Sequence, residues 1–232
     1  MVELPIISAG AAKGLVTALQ ARFRDQHDVQ VRGTFGAVGA MRDKLLAGEP
    51  CEVIILTQEM IAALEESGHV KPDSAAPLGR VRTGIAVRAG DAPPAIPDRA
   101  SLLHALAAAT SLYLPDTRLS TAGRHAVDVL RRLGSDRELT ARLRTFPNGA
   151  TAMRELAVAT DASPLGCTQI TEILYTPGVT LAGPLPPEFE LATVYTVAVC
   201  ASARTPELAR QFVELLSGRE AQALRREGGF EA

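Results

Sequence analysis

The chain has 232 residues, 47% of them hydrophobic, and a formal net charge of −2, which is length enough for one large domain or two small lobes. A sequence pI near 6.1 gives no general attraction to nucleic acid or to an acidic membrane surface, so any basic residue that matters acts locally. The three cysteines, Cys51, Cys167 and Cys200, stand far apart without CxxC or Cys/His spacing, which argues against a disulfide framework or zinc site and reads as three buried small hydrophobes.

The first segment alternates strand and helix. Leu4–Ile7 is a strand, and Leu15–Gln26 carries apolar residues at helical spacing up to a stop at Asp28. Val29–Thr34 is the second strand, and Gly39–Leu46 is a helix closed by Gly48. The continuous apolar run 51–56 marks a strand covered on both faces, and Met60–Glu66 is a helix ending at Gly68. Arg82–Arg88 is a further strand, followed by the turn-rich stretch 89–97, which reads as the entry to a second lobe. There, helices are expected at Ser101–Ala109, Gly123–Leu133 and Ala150–Ala159, and strands at Ser111–Leu114, Leu165–Thr168 and Val179–Ala182. Leu191–Cys200 is a long β-rich run returning to the first lobe, and Pro206–Ser217 and Glu220–Arg226 are closing helices. Such alternation predicts right-handed crossovers and mainly parallel sheets, with ligands beyond the carboxyl ends of the strands.

The chemistry suggested by this order sits at the helix starts. An apolar strand runs into small residues that open a helix at Pro5–Ala12, at Val29–Ala40, at Leu112–Pro115 leading to Ser120–Gly123, and more loosely at Phe146–Thr151. Small side chains there leave backbone N–H groups reachable, and the helix dipole favours negative charge. The candidate anion-binding residues are therefore Gly10, Ala11, Ala37, Val38, Gly39, Thr121, Ala122, Ala150 and Thr151. Each turn taken singly has an equally good reading as a tight strand-to-helix connection.

The order and spacing of these segments resemble the bacterial type II periplasmic binding proteins, particularly the molybdate-binding branch. The likeness covers nearly the whole chain, through Ser8–Ala12, Phe35–Gly39, Leu45–Val53, Thr121–Arg124, Ser163–Gly166 and Gly228–Phe230. It implies an α/β fold of two lobes, each a mainly parallel sheet flanked by helices, closing on a hinge around a small oxyanion. The lobes would be residues 1–81 plus 197–232 and residues 82–196. The hinge would include Arg82, Thr83, Gly84, Thr193 and Val194. Departures from the family pattern are informative: hydroxyls at the first two helix starts and a tyrosine after the Pro-Leu-Gly strand are replaced here by Ala11, the 37–39 turn and Gln169. A buried acceptor left unpaired costs about 1–3 kcal/mol, so three lost donors argue against tight molybdate binding. Arg118, Arg80, Arg82, Gln169 and Tyr195 instead suggest an organic anion with one or more carboxylates.

The expected function is thus a solute-binding protein for a small anion, with no cofactor, metal, nucleic acid or membrane insertion, acting as a monomer and, if exported, with an ABC transporter permease. The rival is an isomerase of a small di- or tricarboxylate, since a related branch includes isomerases acting on aconitate; Glu172, His125 and Tyr195 are its candidate bases. Glu172 otherwise reads as an exposed helix glutamate, His125 as a surface or capping residue, and the arginines at 131–132 and 137–144 as a solvated helix face. No helix-turn-helix precedes the first strand, which sets aside a DNA-binding regulator. As written, without a leader, the chain reads as cytoplasmic; with a leader removed it would be periplasmic.

Overall fold

The computed structural model describes residues 2–135 and 139–232. In chain order its main elements are β1 (Val2–Ala9), α1 (Lys13–His27), β2 (Val29–Gly36), α2 (Val38–Leu46), β3 (Val53–Thr57), α3 (Gln58–Glu66), β4 (Ala76–Arg88), α4 (Arg99–Ala108), β5 (Ser111–Pro115), α5 (Thr121–Arg132), β6 (Leu143–Phe146), α6 (Gly149–Ala157), β7 (Pro164–Gln169), α7 (Ile170–Tyr175), β8 (Val179–Pro184), β9 (Ala192–Val199), α8 (Pro206–Ser217) and α9 (Gln222–Glu227). The chain packs as two compact units, Met1–Val81 with Thr193–Ala232, and Arg82–Ala192. The second passage therefore falls between Ala192 and Thr193, a few residues before the 196/197 division read from the sequence.

The first unit is built on the strand order β2-β1-β3-β9. The first three are parallel and β9 runs antiparallel to β3. Every residue of Val53–Thr57 in β3 is buried, which is what its unbroken apolar run requires of a central strand. Leu15, Val16, Leu19 and Phe23 form the buried stripe of α1, and Phe23 meets Phe212 of α8 edge-on with ring centroids 4.9 Å apart. The helix ends where Asp28 takes a left-handed conformation, φ 52°.

The second unit has the order β4-β7-β5-β6, with β8 on the other side of β4. β5, β6 and β7 are parallel, and β4 is antiparallel to both β7 and β8. A side chain at Gly84 of β4 would stand 2.8 Å from the Gly183 carbonyl oxygen, so glycine is what lets these strands approach.

The basic stretch expected as one solvated helix face divides differently. Arg131 and Arg132 close α5, Arg142 lies in a single 3-10 turn, and Arg144 sits on β6. Arg132 donates to the Glu188 carbonyl at 2.8 Å and lies 4.7 Å from the Phe189 ring centroid, while Arg142 donates to the carbonyls of Ala107 and Ala109. Arg137 lies outside the described residues.

Candidate functional site: helix starts at the carboxyl edges of the strands

In the first unit, Ala9 at the end of β1 is the register partner of Gly36 at the end of β2. The chain turns from these neighbouring ends into a buried 3-10 turn, Gly10–Ala12, that leads to α1, and into α2. Neither start has a side-chain cap: Ala9 and Ala12 precede the first, and Ala37 precedes the second. Four other starts are capped in the ordinary way, α3 by Thr57, α4 by Asp98, α5 by Ser120 and α6 by Asn148, while α7, α8 and α9 also lack a side-chain cap. Gly10, Ala11, Ala37, Val38 and Gly39 are all buried. Lys13 is the first residue of α1, its ammonium 5.9 Å from the Phe35 ring centroid. A cation at a helix amino end opposes the macrodipole and fits a place where a negative charge is met.

In the second unit, β5 and β7 are parallel neighbours, so α5 and α7 begin at the same edge of the sheet. Gln169, last residue of β7 and N-cap position of α7, is 3% exposed, and neither its Oε1 nor its Nε2 has a hydrogen-bond partner. Its register partner across β4 is Thr83, whose buried hydroxyl is also unpartnered, as are the hydroxyls of Thr121 at the first position of α5 and Thr171. Ala122 is buried beside Thr121, and a side chain at Gly123 would collide with the carbonyl of Asp116, so the start of α5 is pressed against the loop before it.

The third start in this unit is filled from within. Glu172 is only 6% exposed, against the expectation of an exposed glutamate. The Thr168 hydroxyl donates to its Oε2 at 2.6 Å, and the backbone amides of Ala150, Gln169 and Gly149 donate to the same carboxylate. A Cβ on Gly149 would collide with Glu172 Oε2 and Thr168 Oγ1, so the glycine admits the carboxylate. Burial pushes the Glu172 carboxyl above its ordinary range, partly opposed by these donors. The Thr151 amide is taken by Asn148 Oδ1 at 2.9 Å. Ala150 and Thr151 thus spend their amides inside the unit, the first on the Glu172 carboxyl and the second on the Asn148 side chain.

Other expected site residues are placed apart from the helix starts or are engaged. Arg118 is exposed, its amide held by Asp116 Oδ1 at 2.7 Å. The amides of Leu119 and Arg118 in turn lower the Asp116 pKa. His125 brings Nε2 to 2.7 Å from the Phe189 carbonyl. Tyr195, opposite Thr57 on β9, is buried in the core of the first unit. Arg80 pairs with Glu231 at 3.4 Å and Arg82 with Glu190 at 3.8 Å. Thr83 and Gly84 lie just past the first passage, and Thr193 and Val194 open the return. Burial pushes the Cys167 thiol up to about 12, and Cys51 and Cys200 are buried free thiols.

Among the described residues, open cavities also lie elsewhere, a smaller one of about 360 Å³ beside Gln20, Arg24 and Gln30 and two larger ones. One of about 660 Å³ is bordered by Asp91, Ser101, His104 and Ser163, at the amino end of β7. Another, of about 580 Å³, is bordered by Glu3, Glu52, Arg204 and Thr205 in the first unit. An apolar void of about 20 Å³ among Ile85, Leu112, Leu130 and Cys167 has room for little more than one water.

The sequence pattern of the bacterial extracellular solute-binding proteins matches residues 4–231. The chain belongs to that family. A curated relative, the aconitate isomerase of a Pseudomonas species, is 25% identical over 224 residues, 94% of this chain and 83% of its own length. Among solved structures, the periplasmic molybdate-binding protein of Azotobacter vinelandii superposes with a TM-score of 0.81 at 19% identity, covering 99% of each chain. The substrate-binding protein of an ABC transporter from Agrobacterium tumefaciens gives 0.72 at 15% identity, over 97% of this chain and 77% of that one. At these identities the structural likeness speaks for the fold.

Within this solute-binding fold, sequence reasoning passed over Lys13, Thr171 and the hydroxyl of Thr83, which entered only as a hinge residue. Lys13 had a readable signal, a cation where a helix start favours an acid. Thr83 had one too, since in a strand the neighbour of an outward Arg82 faces the other way. The Gln169-x-x-Glu172 spacing matches an N-cap with a glutamate reaching back from the third helical position, which anticipates one of the four bonds that Glu172 accepts. The Thr168 hydroxyl is also local, four residues away, whereas the amides of Gly149 and Ala150 come from a segment distant in sequence.

Proposed function

We propose that this chain reversibly captures a small organic carboxylate, without chemical change, and hands it to an ABC transporter permease from a periplasmic working compartment. The observation that carries the reading is the pair of uncapped starts at α1 and α2, which open side by side from the register partners Ala9 and Gly36, whereas the uncapped α8 and α9 of the same unit do not follow directly on strand ends. Amide hydrogens with no side-chain partner are suited to an anion, and the absence of any hydroxyl on residues 9–12 and 37–39 leaves fewer donors than a four-oxygen oxyanion uses. A planar carboxylate asks for fewer. Lys13 adds countercharge, and the unpartnered Thr121 hydroxyl and Gln169 amide add donors from the second unit. A thermal-shift screen against dicarboxylates, tricarboxylates, molybdate, tungstate and sulfate tests this: an acid at 100 times its dissociation constant adds about 2.7 kcal/mol. Stabilisation by the inorganic oxyanions alone would contradict it.

A second reading is favoured by the relatedness to the Pseudomonas aconitate isomerase along 94% of this chain. Shifting a double bond requires a base beside the acidic carbon and donors for the developing enolate. Of the candidate bases, Glu172 has its oxygens bound to Thr168 and three amides, and the His125 Nε2 faces a carbonyl. Proton NMR of aconitate-like acids in deuterated water separates the readings: deuterium exchange or isomerisation supports the enzyme, and neither supports capture.

A further inference from the structure

Resting on the carboxylate reading above, we infer that the ligand also carries a hydroxyl group, a hydroxycarboxylate whose O–H donates to the Gln169 carbonyl. Gln169 is 3% exposed, and both polar atoms of its amide are unpartnered. A primary amide offers two N–H donors and one oxygen acceptor. A fully ionised carboxylate, sulfate or molybdate satisfies only the donors and leaves Oε1 facing an acceptor. Flipping the amide exchanges which side is mismatched and does not remove the mismatch. Thr83, Thr121 and Thr171 have hydroxyls able to donate, yet none bonds to Oε1; each is itself unpartnered. A hydroxyl spent on Oε1 would also be withdrawn from the anion. A hydroxyl on the ligand supplies the donor that none of these three side chains gives.

An ammonium group is also a donor, but burying it calls for a facing carboxylate. The buried acid nearest in sequence, Glu172, already accepts from Thr168 and three amides. A neutral hydroxyl carries no such demand. It also places the aconitate skeleton, which has no hydroxyl, below its hydrated counterparts as a ligand.

Isothermal titration of the full chain with matched pairs, malate against succinate and citrate against tricarballylate, with aspartate and molybdate as further arms, tests the inference. The expected result is that at least one hydroxy acid binds roughly tenfold to a hundredfold tighter than its deoxy partner, because a site oxygen left unpaired is costly. Gln169→Met, close in volume, is expected to bring the pair within about threefold of each other. The wild-type comparison stands even if that variant folds poorly. Equal binding of the two members of each pair, or aspartate binding more tightly than malate, overturns the hydroxyl inference and leaves the carboxylate reading intact. Binding of molybdate alone, or of none of these acids, overturns both.

Discussion

Glu172 is the side chain whose surroundings most change what this sequence means. It reads as a solvated helix residue, yet it lies buried with its carboxylate on the amides that open α6. Because burial raises its pKa, the folded chain gives up this proton at a higher pH than the unfolded chain does. That contribution is whole below the ordinary glutamate value, about 4.3, and is lost as pH rises through the raised value. Chemical denaturation of the wild type is therefore expected to show stability falling as pH rises from that point, with this component absent in Glu172→Gln. The same substitution turns an amide N–H₂ toward backbone donors and is expected to cost about 1–3 kcal/mol. Asp98, Asp116 and Asp161 act in the opposite sense, their pKa values lowered chiefly by the Ser101 amide, the Leu119 amide and the Tyr113 hydroxyl. Their contribution disappears only as the solution becomes more acid than the ordinary aspartate range, so the two effects occupy separate pH windows.

At the scale of elements, capping separates the starts that are closed from those left open. Ala37 has the extended backbone of an N-cap, φ −62° and ψ 139°, but no oxygen to accept with. Ala37→Ser is expected to stabilise the chain by about 0.5–2 kcal/mol in urea unfolding and to weaken capture of an acid by competing for the same amides. Gly123→Ala is expected to destabilise by about 1–3 kcal/mol, since the new carbon would press on the Asp116 and Pro115 carbonyls, the latter at 2.6 Å. Most elements were legible: helical spacing marked α1 and α8, and an unbroken apolar run marked β3. β6 was not, because an edge strand whose middle residues Arg144 and Thr145 are exposed has neither alternation nor an apolar run to betray it. The candidate starts at residues 10–12 and 37–39 were legible from small residues after a strand. That the start at 149–151 is occupied was not, because the occupying carboxylate comes from the next helix and is brought there by β7.

For the molecule as a whole, alternation of strand and helix carried the architecture, and the two passages of chain at 81/82 and 192/193 join units that each have their own core. Amide NMR titration of the full chain with malate tests the central claim most directly. The account predicts that the largest shifts fall on Gly10, Ala11, Val38, Gly39, Thr121, Ala122 and the Gln169 side-chain N–H₂. Shifts confined to Ser101, His104 and Ser163 around the 660 Å³ cavity, with the helix starts unmoved, would contradict it.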